Sequence, residues 1–220
     1  MPFRRALAAF SVALVPAAAA AQQALPPDEA PEFPSQPGPD IDADETGPAT
    51  GEHHPDDAPL TREERLDRLF AALGDPENGE HAVLQRRIAQ LWSESGSDSM
   101  DLLLSRGREA LEGEEYEKAL DHFTALVDLD PDFAEGWNAR ATAWYLKDEY
   151  WRAVSDIRKA LELEPRHFGA LSGLGVILER IGDADGALRA YRAATELNPH
   201  LETAQKAVER LSPKVDGRDI

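Results

Sequence analysis

The chain is 220 residues long, carries a formal net charge of −19 and contains no cysteine. The length allows one or two domains, and the absence of cysteine excludes disulfides and thiolate-bound metals. The negative charge disfavours nucleic acid and anionic membrane surfaces as partners, because binding to phosphates requires clustered Lys and Arg.

The first 21 residues have the pattern of a secretory signal peptide. Arg4 and Arg5 form a basic start, residues 6–15 form an apolar core, and Ala21 is a suitable cleavage site. The apolar core is about ten residues long, whereas an uncleaved membrane anchor needs roughly 20. The pattern therefore predicts export to the periplasm of a Gram-negative bacterium, with no membrane insertion after cleavage.

Residues 22–60 are predicted to form a disordered acidic linker. Between Ala24 and Leu60 the chain has nine prolines and ten Asp or Glu but no Lys or Arg. Its isolated apolar residues cannot bury enough surface to offset the loss of chain entropy. The linker is either a solubilising spacer or an acidic tail that contacts a basic partner. His53 and His54 have metal-binding chemistry but no scaffold to fix their geometry, so we expect no metal or cofactor site.

Residues 61–99 are predicted to contain two amphipathic helices. Thr61 and Glu64 have the spacing of a capping box, which begins a helix that ends at Gly74. A second stretch, from about residue 80 to 93, places its apolar residues on one face. The pair is about as long as one of the repeats that follow it, but it lacks their Ala and Pro landmarks. We interpret it as a degenerate repeat or an N-terminal cap.

Residues 100–201 repeat with a period of 34, in units that begin at Met100, Ala134 and Phe168. Position 20 of every unit is alanine, position 32 is proline, position 8 is small and position 24 is large. In the order of these four positions, the residues are Ala119, Ala153 and Ala187; Pro131, Pro165 and Pro199; Gly107, Ala141 and Gly175; Phe123, Ile157 and Tyr191. This period indicates stacked helix pairs, with small residues where the helices cross.

The pattern resembles the tetratricopeptide repeat, and the resemblance covers residues 100–133, 134–167 and 168–201. It implies an all-α, right-handed α-solenoid of helix-turn-helix units that binds protein or peptide partners and has no catalytic activity. Residues 202–212 are predicted to be a capping helix that covers the last repeat. Residues 213–220, which begin with proline, are predicted to be a flexible tail.

In this family, side chains on the first helix of each repeat line a concave groove that receives peptides. Transferred to this chain, the resemblance implies a groove formed by Leu104, Arg108 and Leu111; Asn138, Thr142 and Tyr145; and Ser172, Val176 and Glu179. Relatives that grip the C-terminal carboxylate of cytosolic chaperones use several basic and amide side chains. Among the matching positions only Arg108 is basic. We therefore expect a different kind of partner.

The sequence thus predicts an exported, non-catalytic interaction module that binds a segment of a cell-envelope protein. A monomer is expected. The alternative is a self-associating scaffold, for which Trp151, predicted to lie near the outer surface, is the candidate contact residue. An enzyme is the least favoured alternative, because the sequence has no nucleophile elbow, phosphate loop or HExxH motif.

Overall fold

The computed structural model describes residues 60–75 and 79–219, and within them all regular secondary structure is helical. The α-helices in this part of the chain are α1 (Arg62–Leu73), α2 (His81–Ser93), α3 (Asp98–Glu112), α4 (Tyr116–Leu129), α5 (Ala134–Leu146), α6 (Tyr150–Leu163), α7 (Phe168–Arg180), α8 (Ala184–Leu197) and α9 (Glu202–Val215). The expected all-α class is confirmed. The predicted signal peptide, nearly all of the acidic linker, and His53 and His54 lie outside the described residues.

Three helix pairs form the central array. The pairs α3–α4, α5–α6 and α7–α8 each pack internally, and each pair contacts the next. Because short turns join the two helices of a pair, the helices run antiparallel. We call the first helix of each pair helix A and the second helix B. The predicted solenoid of helix pairs is therefore confirmed.

The turn from helix A to helix B is built in the same way in all three pairs. Glu114, Asp148 and Gly182 stand at the same repeat position and have positive φ angles of 57°, 60° and 85°. The next N–H donates to a carbonyl five residues back, in the pairs Glu115 to Ala110, Glu149 to Trp144 and Asp183 to Leu178. This is the Schellman arrangement, which ends a helix by satisfying its last carbonyls.

The turns from each helix B to the helix that follows it are also alike. Each contains the repeat's proline, which cannot continue helix B because it lacks an N–H donor. The side chain of the residue before the proline accepts a hydrogen bond from the backbone N–H two residues further along the chain. The acceptors are the side chains of Asp130, Glu164 and Asn198. These turns fix where α5, α7 and α9 begin.

Within a pair, the small residue of helix A lies against the large residue of helix B. A Cβ atom added to Gly107 would lie 2.2 Å from the ring of Phe123, and one added to Gly175 would lie 2.7 Å from the ring of Tyr191. Both rings are fully buried. The helices therefore cross where the repeat pattern predicted.

The end of the array is covered by α9, which packs on α8. Ala204, Ala207 and Leu211 are buried on its inner face, while Glu202 and Lys206 are exposed on its outer face. None of the helices in the described ranges is both long and apolar enough to cross a bilayer.

The predicted boundary of the capping helix is wrong. We expected it to end at residue 212, before the proline, but α9 continues through Pro213 to Val215. Proline so near a helix end removes few hydrogen bonds. In addition, Arg192 of α8 donates to Ser212 and forms an ion pair with Asp216, at 3.2 and 2.6 Å. These contacts hold the last turn against α8.

Candidate partner-binding surface

The nine predicted groove residues lie on the A helices α3, α5 and α7, which contact one another. Four of them are partly exposed, namely Arg108, Leu111, Thr142 and Glu179. The other five, Leu104, Asn138, Tyr145, Ser172 and Val176, are buried. Leu104, Tyr145 and Val176 belong to the apolar core. The side chain of Glu179 itself is only 7% exposed, so a ligand on this face would meet Arg108, Leu111 and Thr142 first.

Glu179 is already engaged by other parts of the molecule. Its carboxylate accepts two hydrogen bonds from the Arg210 guanidinium, at 2.7 and 2.9 Å, and one from the Tyr191 hydroxyl, at 3.2 Å. Burial, and then the neighbouring Glu179 carboxylate, raise the pKa of Tyr191. The hydroxyl therefore remains a hydrogen-bond donor at neutral pH.

The helices α1 and α2 pack on the turns that precede α7 and α9, and α2 also contacts α5. Their apolar face consists of Leu66, Leu73, Leu84, Ile88, Leu91 and Trp92. It forms one buried cluster with residues of the two turns. We call the receiving residues the turn surface and define it as His167, Phe168, Asn198, His200 and Leu201.

Trp92, in the last turn of α2, makes the most extensive ring contacts with the turn surface. Its indole stacks on the His167 imidazole, with ring centroids 4.0 Å apart and planes 16° from parallel. It also lies 5.0 Å from the Phe168 ring. The side chain is only 2% exposed. Aromatic pairs of this kind add about 0.5–1.5 kcal/mol to the effect of burial alone.

The other end of α2 contacts the α8–α9 turn. The His81 ring stacks on the His200 ring at a centroid distance of 3.3 Å. One turn further along α2, Gln85 Nε2 donates to Asn198 Oδ1 at 3.1 Å and to the His200 carbonyl at 3.4 Å. The helix α2 therefore runs along the array, and its first turn lies at the end of the third repeat.

The helix α1 also contacts the array, through Asp67 and Phe70. Arg166, just before the turn surface, forms an ion pair with Asp67 at 2.5 Å, and its guanidinium lies over the Phe70 ring at 5.1 Å. Phe70 meets Phe168 edge to face at 6.2 Å. Both helices of the pair therefore bind the array.

A buried polar cluster lies beneath Trp92. Glu135, at the start of α5, is 2% exposed and accepts from Arg108 Nη2 at 2.5 Å and from His167 Nε2 at 2.9 Å. His167 Nδ1 accepts from the Ala170 N–H, so the ring hydrogen resides on Nε2. Arg108 also donates to Ser93 Oγ at the end of α2, at 3.0 Å. One predicted groove residue therefore joins α2 to the array.

Two opposing effects act on the pKa of Glu135. Burial would raise it, but the hydrogen bond from His167 and the positive charge of Arg108 outweigh burial and lower the pKa below its ordinary value of 4.5. Because the folded pKa is depressed, the stability that this carboxylate contributes is present above about pH 4.5 and lost as pH falls below it. Removal of Arg108 or His167 would leave the buried Glu135 carboxylate without one of its partners, which is strongly destabilising.

The contact between α2 and the turn surface leaves polar atoms without partners. Trp92 Nε1, His81 Nδ1 and Asn198 Nδ2 are buried without a hydrogen bond. Each such atom costs about 1–3 kcal/mol relative to its hydrated state. The aromatic rings of the interface are therefore well packed, but some of its buried polar atoms lack hydrogen-bond partners.

Sequence reasoning did not find the turn surface. His167 stands at the boundary between two repeats, where a histidine in the sequence suggests a surface or capping role. His167 does cap α7, but it is fully buried. One feature of the sequence could have pointed to the turn surface. The last position of the repeat changes its residue type, because it is occupied by Phe133, His167 and Leu201 in the three units. A polar ring among apolar residues indicates a special contact but does not identify its partner.

The stacked pairs, with their identical turns, define an α-solenoid of 34-residue units. A family model described as the tetratricopeptide repeat matches residues 104–156 and 147–202. A TPR repeat-containing protein of Rhizobium etli is 37% identical over 157 residues, which cover 70% of this chain and 76% of that protein. The chain belongs to the tetratricopeptide-repeat family.

Three further matches each cover slightly more than half of this chain. The small glutamine-rich tetratricopeptide repeat-containing protein 2 of Saccharomyces cerevisiae is 30% identical over 127 residues, which cover 54% of this chain but 36% of that protein. The Sgt2 TPR domain from Aspergillus fumigatus has a TM-score of 0.53 at 25% identity, covering 56% of this chain and 83% of that domain. The Yersinia enterocolitica type III secretion chaperone SycD, solved with a peptide of the translocator YopD, has a TM-score of 0.51 at 18% identity, covering 54% and 95% of the two chains.

Proposed function

We propose that this protein is an exported, non-catalytic interaction module that binds a segment of a cell-envelope protein on the face formed by its A helices. The observation that carries the proposal is the row of three adjacent A helices, on which Arg108, Leu111 and Thr142 remain partly exposed. Tetratricopeptide-repeat folds bind peptides and proteins, as the SycD complex with its translocator peptide illustrates for that chaperone.

The proposed location rests on the sequence of the first 21 residues, which has the basic start and short apolar core of a signal peptide. The net charge of −19 supports a neutral or basic protein partner and opposes binding to anionic lipid. Affinity in the micromolar range, about −8 kcal/mol, would suit a face that offers so few accessible side chains.

The test is capture of the partner from the cell envelope by the mature protein, whose N-terminus is expected at Gln22 by mass spectrometry. Wild-type protein is compared with Leu111→Ser combined with Thr142→Arg, which changes the accessible face and spares the buried Glu135 cluster. The matched control is Leu129→Ser combined with Thr124→Arg on α4, a B helix.

A protein held by the wild type and by the control, but lost with the A-helix variant, is the expected result. Equal capture by all three proteins would overturn the proposed binding face. An intact N-terminus that begins at Met1 would overturn the proposed export.

A further inference from the structure

We propose that α2 is an intramolecular ligand of the turn surface, and that a protein partner binds by presenting an amphipathic helix that takes its place. The turn surface is distinct from the A-helix face of the proposed function, and the partner that it would take is a helix with a large aromatic residue near its C-terminal end. Three properties of the contact between α2 and the array support it.

The turn surface holds an aromatic side chain in a specific way. His167 stacks on one face of the Trp92 indole, and Phe168 lies beside it at 5.0 Å. The His167 ring is itself fixed by hydrogen bonds to Glu135 and to the Ala170 N–H. A site whose walls are held by their own hydrogen bonds is preorganised for a flat ring.

The rest of the surface fits one side of a helix. Leu84, Ile88 and Leu91 follow one another at helical spacing and are buried in the cluster that contains Leu201. Gln85 of the same helix reaches Asn198 and the carbonyl of His200. A partner helix would therefore need apolar residues at this spacing, one amide side chain near its start, and an aromatic residue two turns later.

The helix α2 is attached to the array in a way that permits exchange. Trp92 Nε1 and His81 Nδ1 belong to α2 and regain water when α2 leaves, whereas Asn198 Nδ2 stays on the array. A competitor with an acceptor opposite Asn198 Nδ2 therefore gains a hydrogen bond that α2 does not make. The connection to α3 contains Gly96 with φ of +79°, and Ser95 holds this connection to α3 by donating its N–H and its hydroxyl to the Asp101 carboxylate. The helix α3 therefore keeps its start when α2 leaves.

The first experiment measures hydrogen-exchange protection in the full chain without any partner. In wild-type protein we expect the amides of α2 to open more readily than those of α5 to α8. Trp92→Ala should lower protection in α2 at least tenfold and leave α5 to α8 within about twofold. The control, Leu129→Ala, truncates an exposed apolar residue on α4 and should change neither region.

If Trp92→Ala instead lowers protection in α2 and in α5 to α8 together, then α2 is an integral part of the core and the proposal is wrong. This outcome leaves the proposed binding face untouched, because that face is tested by capture with variants of Leu111 and Thr142. The two ideas can therefore fail separately.

The second experiment supplies the helix from outside, as a fluorescein-labelled peptide of residues 80–95. Trp92→Ala protein should bind this peptide at least tenfold more tightly than wild type, because its own α2 competes less well. Adding Leu201→Asp, which places a charge in the turn surface, should abolish the gain. A peptide with Ala at the Trp92 position is the matched control and should not bind. Equal affinity of wild type and Trp92→Ala, or no binding by either, would overturn the exchange of helices.

Discussion

Gly107 and Gly175 allow an aromatic ring of helix B to lie directly on the backbone of helix A. The added Cβ atom at Gly107 would meet three ring atoms of Phe123 at 2.2–2.6 Å, and a ring inside a packed core cannot move aside freely. Where the same position is Ala141, the opposing residue is Ile157, which has no ring. The size of one residue thus sets the size allowed at the other.

Gly107→Ala should therefore destabilise the protein by about 1–3 kcal/mol, because overpacking outweighs the better helix propensity of alanine. Gly113→Ala is the matched control. Its Cβ atom would meet its neighbours at 3.5 Å or more, and its φ of −81° suits any residue, so stability should stay within about 0.5 kcal/mol.

Urea unfolding measures both variants. Combining Gly107→Ala with Phe123→Leu should recover part of the loss, since the smaller side chain makes room. An unchanged stability of Gly107→Ala alone would show that the array adjusts its helix spacing more easily than the close approach suggests.

Contacts of this repeated kind could be predicted from the sequence, whereas the Glu135 cluster could not. Gly107 and Phe123 belong to a pattern that three units confirm independently. The position of Glu135 is occupied by Asp101 and Gly169 in the other units, so the repeat gives no information about its partners. Its contact with Arg108 crosses from one repeat to the next, and its contact with His167 joins the two ends of a single unit.

At the scale of elements, the sequence predicted the helices α1 and α2 but not their position. The capping box of Thr61 and Glu64 is present, and α1 ends at Gly74 as expected. Amphipathic spacing shows that one face of each helix is buried, but not which surface buries it. The stretch was interpreted as a further repeat or a cap on the first repeat. In the structure the pair contacts the turns before α7 and α9.

The stacked His81 and His200 rings should make the attachment of α2 depend on pH. Burial, and then the positive charge on His81, lower the pKa of His200 below 6.5. Because a lowered histidine pKa means that the undocked state binds protons more readily, docking is favoured above about pH 6.5 and weakens as pH falls below it.

The measurement is the protection factor of α2 amides at about pH 7.5 and about pH 5.5. Protection should fall at the lower pH in wild-type protein and change less in His200→Gln. His122→Gln, on α4, should behave like the wild type. If His200→Gln shows the full pH dependence, another group is responsible.

At the scale of the whole molecule, the array should remain a monomer. The apolar end of the last repeat is covered by α9, which turns exposed Glu202 and Lys206 outwards. The net charge of −19 adds repulsion between copies. Trp151 is 75% exposed, as the repeat position predicted, and it is the residue on which self-association would depend.

Sedimentation should therefore show a single monomeric species over a wide concentration range, in wild type and in Trp151→Ala alike. A dimer in wild-type protein that Trp151→Ala removes would instead support the alternative of a self-associating scaffold. The comparison needs physiological ionic strength, because low salt exaggerates the repulsion between copies.

The path of α2 has a mechanical consequence for the array. The last residue of α2 contacts Arg108 of the first repeat, and its first residue contacts His200 at the end of the third. A stack in which each repeat touches only its neighbours can bend and can unfold from either end. With α2 docked, contacts 113 residues apart in sequence connect the two ends, fix the length between them and resist changes of curvature. Loss of α2 would turn a rigid array into an elastic one, whose radius could adjust to the shape of what it holds.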